Sequence, residues 1–82
     1  MKKVILVLQR GWVVVGDLAK DTADSVELTN ASVIRRWGTT RGLGQLAIEG
    51  PKKATILDAC GTVSAHPLAI VLRLACEPHT WS

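Results

Sequence analysis

The residues best suited to chemistry lie in one short basic stretch, residues 33–53. This stretch contains five of the ten lysines and arginines, one of the three tryptophans and a single acid, Glu49. An arginine can bind a phosphate through two parallel hydrogen bonds, and a tryptophan ring can stack on a nucleobase. The stretch therefore predicts an anion site, most directly one for a nucleotide or a nucleic acid.

Hydroxyl groups and glycines beside the tryptophan complete the predicted site. A helix over residues 41–49 would begin next to Thr39 or Thr40, either of which can act as its N-cap. The free N–H groups at a helix start attract phosphate, and glycines let the backbone approach a ligand closely. The predicted ligand-binding residues are Arg35, Arg41 and Lys53 for phosphate, Trp37 for stacking, and Thr39, Thr40, Gly42 and Gly44 for the anion cradle.

Two other interpretations of the same residues stay open. The first is a module that binds RNA or DNA, since the same side chains would contact a polymer of phosphates. In the second, Trp37 belongs to the core, the cations form a solvated rim and the glycines serve only a turn. The protein would then be a structural or protein-interaction component.

Two further groups of side chains give weaker patterns. Cys60, His66, Cys76 and His79 are spaced C-x5-H-x9-C-x2-H, which lacks the close cysteine pair of most zinc sites. Asp58, Cys60 and His66 could form a nucleophile, base and orienter, but no G-x-S-x-G turn and no G-x-x-x-x-G-K-[ST] loop is present. We therefore expect no metal, no cofactor and no catalytic residues, in a protein that is not an enzyme.

The elements that must position these residues are predicted to be mainly β. Short apolar runs and alternating patterns are typical of strands, whereas Leu43, Leu46 and Ala47 have helical spacing before the stop at Gly50-Pro51. We predict one domain over residues 1–82, a small strongly bent sheet or a partly open SH3-like barrel with one short helix near 41–49. The predicted strands are 4–8, 12–15, 25–29, 32–37, 54–57, 61–65 and 68–76, with a turn at Asn30-Ala31 and a loosely held tail at 77–82.

The composition indicates self-association and an anionic partner. The chain has 82 residues, 48% of them apolar, which is more than a monomer of this size needs. We therefore expect a homo-oligomer with the ligand pocket between subunits. The net charge of +3 favours anionic partners weakly. No apolar run has the length of a membrane span and no leader peptide is recognisable, so we expect a cytoplasmic protein without a membrane partner.

A pattern of residues extends over about half the chain. It consists of Arg10-Gly11, Gly16 and Leu18, then Leu28 and Asn30-Ala31, then Trp37, Thr40-Arg41-Gly42 and Gly50-Pro51. This pattern resembles a family of small phage-encoded proteins of unknown function. The resemblance implies a viral setting, in which small proteins often act against host defence. One such mode is an oligomeric sponge that sequesters a cyclic or ADP-ribose-type signalling nucleotide in the host cytoplasm.

A second resemblance concerns residues 13–32, VVVGDLAKDTADSVELTNAS, where a G-x-L strand is followed by an L-x-N-A strand. This stretch is similar to the first half of Sm-like RNA-binding proteins. The similarity implies an SH3-like barrel in a ring. The I-R-G motif that closes an Sm fold is absent, so RNA binding through an Sm-type pocket is not expected.

Overall fold

The computed structural model describes residues 2–81 and confirms the prediction of a mainly β fold. The elements in chain order are strand β1 (Lys3–Leu8), a 3-10 turn (Gln9–Gly11), β2 (Val13–Asp21), β3 (Val26–Arg36), helix α1 (Leu43–Glu49), β4 (Ile56–Ala65), a second 3-10 turn (Pro67–Ala69) and β5 (Ile70–Ala75). The strands form one open sheet in the order β4-β3-β2-β1-β5, and every neighbouring pair is antiparallel.

The continuous apolar run of β1 follows from its position between β2 and β5. Side chains alternate along a strand, so Ile5 and Val7 lie on one face and Val4 and Leu6 on the other. Ile5 and Leu6 are both 0% exposed, which means that both faces of the sheet are covered at this point. A strand covered on both faces needs apolar residues at consecutive positions.

Helix α1 packs on one face of the sheet, here called the helix-side face. The predicted helix is present, but it begins at Leu43 rather than at residue 41. Its buried residues share one side of the helix and pack against apolar side chains of β1, β2 and β3. The buried cluster on this face consists of Ile5, Val13, Val15, Ile34, Leu43, Leu46, Ala47, Cys76 and Trp81.

The opposite face, here called the far face, is buried by curvature of the sheet. Its buried cluster comes from β1, β2 and β3 and includes Leu6 and Leu28, which are both 0% exposed, and partly buried residues of β4 and β5 pack against it. Neither α1 nor the C-terminal segment contributes to this cluster. The sheet must therefore bend around it, in agreement with the predicted strong curvature.

The predicted turn at Asn30-Ala31 and the predicted break between residues 57 and 61 both lie within continuous strands instead. Asn30 is inside β3 at φ +49°, and the register with β4 shifts between Leu28 and Ala31. Gly61 lies inside β4 at φ +80°. Asparagine and glycine accept the left-handed conformation, which in a strand produces a bulge and a stronger bend. Strands of 11 and 10 residues therefore replace four shorter predicted strands.

The C-terminal segment packs on α1, so the prediction of a loosely held tail is wrong for most of its length. Trp81 is buried, and its indole N–H donates to the carbonyl oxygens of Leu46 (3.0 Å) and Ala47 (3.1 Å). The backbone N–H of Glu77 also donates to the Ala47 carbonyl oxygen (2.9 Å). Ser82, the last residue of the predicted tail, lies outside the described residues.

We expect Trp81→Ala to lower the free energy of unfolding by about 3–5 kcal/mol, because it removes a buried ring and leaves a cavity beside α1. Trp12 is 58% exposed, so Trp12→Ala is the matched control and should cost less than about 1 kcal/mol. Urea unfolding followed by circular dichroism measures both changes. Equal losses in the two variants would contradict the role given to Trp81.

Candidate functional site

Two loops meet where β3 ends and β4 begins. Residues 37–42 follow β3, and the turn of residues 52–55 precedes β4. The Thr55 hydroxyl donates to the carbonyl oxygen of Trp37 (2.7 Å). Gly38, at φ +69°, packs so closely on the backbone of the turn that any side chain there would clash. The two loops are therefore fixed to each other.

These loops carry an exposed tryptophan and three exposed cations, and the end of β3 adds two more cations, whose side chains lie on opposite faces of the sheet because they are consecutive in a strand. Trp37 is 42% exposed, so much of its ring is available for stacking. Gly42 lies beside that ring, since an added Cβ at Gly42 would be 3.9 Å from Trp37 Cζ3. This surface is here called the basic end, and its cations are Arg35, Arg36, Arg41, Lys52 and Lys53, all of them exposed.

Two carboxylates pair with three of the five cations. Asp58 on β4 accepts a hydrogen bond from Nε of Arg35 at the end of β3 (2.8 Å). Glu49 accepts from Nη2 of Arg41 (2.9 Å) and pairs with Nζ of Lys52 (2.8 Å). The Arg35–Asp58 pair is exposed on both sides, and exposed pairs contribute about 0–1 kcal/mol each. A ligand phosphate can therefore replace Asp58 at little cost.

The remaining two cations of the basic end are Arg36 and Lys53. Within residues 2–81 neither forms a salt bridge. With five cations and two carboxylates, the basic end keeps an excess of positive charge. Such an excess attracts anions and raises their rate of association.

Glu49 is the centre of a polar network along α1. Besides its two cations it accepts a hydrogen bond from the Gln45 side-chain amide (Nε2 to Oε1, 3.2 Å). The hydrogen bond from Lys52 and then that from Gln45 are the main causes that lower the pKa of Glu49 from its ordinary 4.5 to about 2. The carboxylate is therefore charged at neutral pH and holds Arg41 and Lys52 beside α1.

The start of α1 is organised differently from the prediction. Its N-cap residue is Gly42, and no side chain caps it, so the prediction of Thr39 or Thr40 as N-cap is wrong. The Thr39 hydroxyl donates to the Gly42 carbonyl oxygen (2.7 Å) instead of accepting from an N–H group. Oε1 of Gln45 accepts from the Arg41 backbone N–H (2.6 Å) and lies 3.3 Å from the Thr40 hydroxyl.

This arrangement changes how the predicted anion cradle can act. The carboxamide oxygen of Gln45 accepts from the Thr40 hydroxyl, which the prediction assigned to the ligand, and from the Arg41 N–H next to the predicted Gly42 amide. Gly44 lies on the exposed side of α1, where an added Cβ would have no neighbour within 4 Å. The geometry therefore favours binding by side chains on the open surface over binding by the helix start.

Sequence reasoning missed the partners that organise the predicted residues. Gln45 and Glu49 are four residues apart, and Glu49 and Lys52 are three apart, which is the spacing of neighbours on a helix. That spacing was a readable signal for the network. Asp58 had no such signal, because its pairing with Arg35 depends on the register of β3 against β4.

A separate cavity of about 230 Å³ lies on the helix-side face. Its floor is formed by Val15, Ser32 and Leu57 of the sheet, and Trp81 and Pro51 contribute to its walls. The wall residues come from distant parts of the chain, so no local pattern in the sequence indicated them. None of the eight predicted ligand-binding residues lines this cavity.

The two cysteines are in different surroundings. Cys60 is exposed on β4, whereas Cys76 is buried and burial raises the pKa of its thiol to about 11. Neither forms a disulfide. Among residues 2–81, no three His, Cys, Asp or Glu side chains are arranged so that they could hold a metal ion.

Over the same described range, no helix is long and apolar enough to cross a membrane. Comparison with protein families, with curated proteins and with solved structures finds no match for this chain. The two resemblances described above therefore stay predictions from the sequence.

The network around Glu49 makes the stability of the fold depend on pH. Because the pKa of Glu49 is about 2 in the folded chain and 4.5 ordinarily, the unfolded chain takes up the proton at higher pH. The stabilisation is fully present above about pH 4.5 and is lost as the pH falls toward about 2. We expect Glu49→Gln to be less stable than wild type at neutral pH, with a difference that shrinks over this range. Urea unfolding at several pH values measures it.

The matched control is Glu27→Gln, which makes the same chemical change on β3, outside the network. A stability difference between wild type and Glu49→Gln that is the same at neutral pH and at low pH would contradict the assignment. So would an NMR titration in which the Glu49 carboxyl has its ordinary pKa.

Proposed function

We propose that the chain binds the phosphates of a nucleotide-type ligand at the basic end and catalyses no reaction. The observation that supports this is the charge there: the end of β3 and the two loops carry five exposed cations and an exposed tryptophan, with only two carboxylates paired to them. Arg36 and Lys53 can contact phosphate without giving up a partner. Arg35 and Arg41 can each exchange a carboxylate for a phosphate, and Arg35, which contacts both oxygens of Asp58, can bind two phosphate oxygens in the same way.

Trp37 supplies the second half of the proposed recognition. Its ring is partly exposed and lies next to Gly42, which has no side chain to cover it. A nucleobase stacked there would remove the exposed ring from water, and base–aromatic stacking contributes about 1–3 kcal/mol. A ligand that carries both phosphate and base would therefore bind more tightly than a phosphate alone.

Two ligands share this chemistry, a small free nucleotide and a single-stranded nucleic acid. The resemblance of residues 10–51 to small phage proteins supports the first, a sponge that sequesters a host immune signalling nucleotide in the host cytoplasm. The openness of the surface, on which every cation is exposed, supports the second. Salt separates the two, because polymer binding weakens steeply with salt and binding of a small nucleotide weakens less.

We also propose that the chain forms a homo-oligomer. The supporting observation is β5, which is at one edge of the sheet and exposes apolar side chains in and next to it. Leu68 is 82% exposed, Val71 68% and Leu72 50%. An apolar edge strand with unpaired backbone groups tends to associate with another chain.

The binding proposal predicts different effects for two lysine substitutions of equal charge change. Lys53→Glu should weaken nucleotide binding about tenfold or more, equivalent to about 1.4 kcal/mol, because it replaces a phosphate contact with repulsion. Lys20 is exposed near the C-terminal end of β2, and Lys20→Glu should change the nucleotide affinity less than about twofold. Isothermal titration with a cyclic dinucleotide, a cyclic trinucleotide and ADP-ribose measures the small ligands, and fluorescence anisotropy at two salt concentrations measures a short single-stranded RNA.

Trp37→Ala should weaken every ligand that carries a base and leave inorganic phosphate unaffected. No binding of any ligand at low salt would refute the proposal. Equal losses of affinity in Lys53→Glu and Lys20→Glu would mean that the attraction is nonspecific. In either case the basic end would be a solvated rim or a protein interface.

The oligomer proposal is tested by sedimentation of the wild type and of Val71→Lys. A lysine on an edge strand blocks pairing with another strand, so Val71→Lys should sediment as a smaller species than wild type. Ile48 on α1 is 65% exposed, and Ile48→Lys is the matched control that should leave the assembly intact. A monomeric wild type at micromolar concentration would contradict the proposal.

A further inference from the structure

The cavity on the helix-side face exists because α1 is too short to cover that face. A helix of 7 residues spans about 10 Å, whereas β3, with 11 residues, spans about 36 Å. The C-terminal segment extends the cover with Trp81 and Thr80, and Pro51 adds to it from the turn after α1. Between this cover and the sheet lies the space of about 230 Å³.

One part of the cavity wall is apolar. Val15 and Leu57 lie on the sheet, and Pro51 and Trp81 lie across from it. The indole N–H of Trp81 is already bonded to two carbonyl oxygens of α1, at 3.0 and 3.1 Å. Trp81 therefore offers the cavity only its ring, which suits contact with a flat, weakly polar partner.

The other part of the wall carries hydrogen-bonding groups. Lys3, Asn30 and Ser32 line it. The Lys3 ammonium pairs with Oδ1 of Asp17 (3.4 Å), and the Asn30 amide donates to Oδ2 of the same carboxylate (3.2 Å). The charge of Lys3 is thus balanced by Asp17, while Lys3, Asn30 and Ser32 keep further N–H and O–H donors.

We infer that this cavity is a binding site for a small neutral heteroaromatic ring with carbonyl or ring-nitrogen acceptors, the class that includes the nucleobases and their nucleosides. The volume of about 230 Å³ is below the roughly 300–1,000 Å³ of most ligand pockets, which limits the enclosed part of the ligand to one ring system, the base. The balanced Lys3–Asp17 pair favours a neutral ligand over an ion. The ring of Trp81 packs against the flat body of the ligand, and the donors of Lys3, Asn30 and Ser32 bind its acceptors.

This site is independent of the basic end. It requires no phosphate, and among residues 2–81 Lys3 is its only cationic lining residue. Because a nucleoside also carries a base that can stack on Trp37, the Trp81 and Ser32 signals report the cavity and the Trp37 indole signal reports the basic end. Nucleoside binding here can succeed or fail whatever the basic end does.

The test uses NMR of the ¹⁵N-labelled full chain, titrated with adenosine, with uridine and with cyclohexanol as an apolar ring that is neither flat nor aromatic. We expect saturable shifts of the Trp81 indole N–H and the Ser32 amide with at least one nucleoside and none with cyclohexanol. Ser32→Ile fills the cavity and should weaken nucleoside binding about tenfold or more. Ser64→Ile makes the same change on the exposed part of β4 and should have no effect.

If Ser32→Ile does not fold, Leu57→Phe fills the same space by enlarging a side chain that is already apolar. Unmoved Trp81 and Ser32 signals with both nucleosides would overturn the inference. Chemical-shift changes with cyclohexanol as large as those with the nucleosides would overturn the ligand class, a flat heteroaromatic ring. Equal nucleoside affinity of the wild type and the filled variant would overturn the assignment of the site to this cavity.

Discussion

The hydrogen bonds and packing between Trp81 and α1 are the contacts on which the rest of the helix-side face depends. A helix of 7 residues is too short to be stable on its own in water, so α1 needs a partner on each side. The sheet packs on its apolar side, and Trp81 packs against it while donating to the carbonyl oxygens of Leu46 and Ala47. The position of α1 in turn determines where Gln45 and Glu49 lie, and through them Arg41 and Lys52.

The basic end and the cavity use opposite physical means. At the basic end the cations stay in water, Asp58 is exposed and easily replaced while Glu49 is half-buried, and attraction comes from the excess of positive charge. In the cavity the charge of Lys3 is matched by Asp17, and selection depends on shape and on hydrogen-bond donors. The basic end therefore selects ligands by their charge, and the cavity selects them by their size and flatness.

Much of the fold could be predicted from the sequence because it depends on local patterns. The run of β1 and the spacing of Leu43, Leu46 and Ala47 indicate a buried strand and a short helix wherever they occur. The turn predicted at Asn30 was wrong, because a residue that accepts the left-handed conformation can form either a turn or a bulge. Which of the two forms depends on the pairing of β3 with its neighbouring strands. The burial of Trp81 was missed because it depends on contacts 34 and 35 residues away in the chain.

The candidate site was predictable in its charge and unpredictable in its geometry. The concentration of cations near Trp37 in the chain is visible directly in residues 33–53. The role of Thr39 is not, because a hydroxyl both donates and accepts hydrogen bonds, and the sequence does not determine whether it caps the helix or donates to a carbonyl oxygen. The segment from Trp37 to Thr55 holds Trp37 and three of the five cations of the basic end, α1 and the Pro51 wall of the cavity, while the strands hold most of the core. Loops placed on a rigid sheet are where binding residues are concentrated in general. In this chain one connection between two strands therefore contributes to both candidate sites, and the sheet serves as the scaffold that keeps them in place.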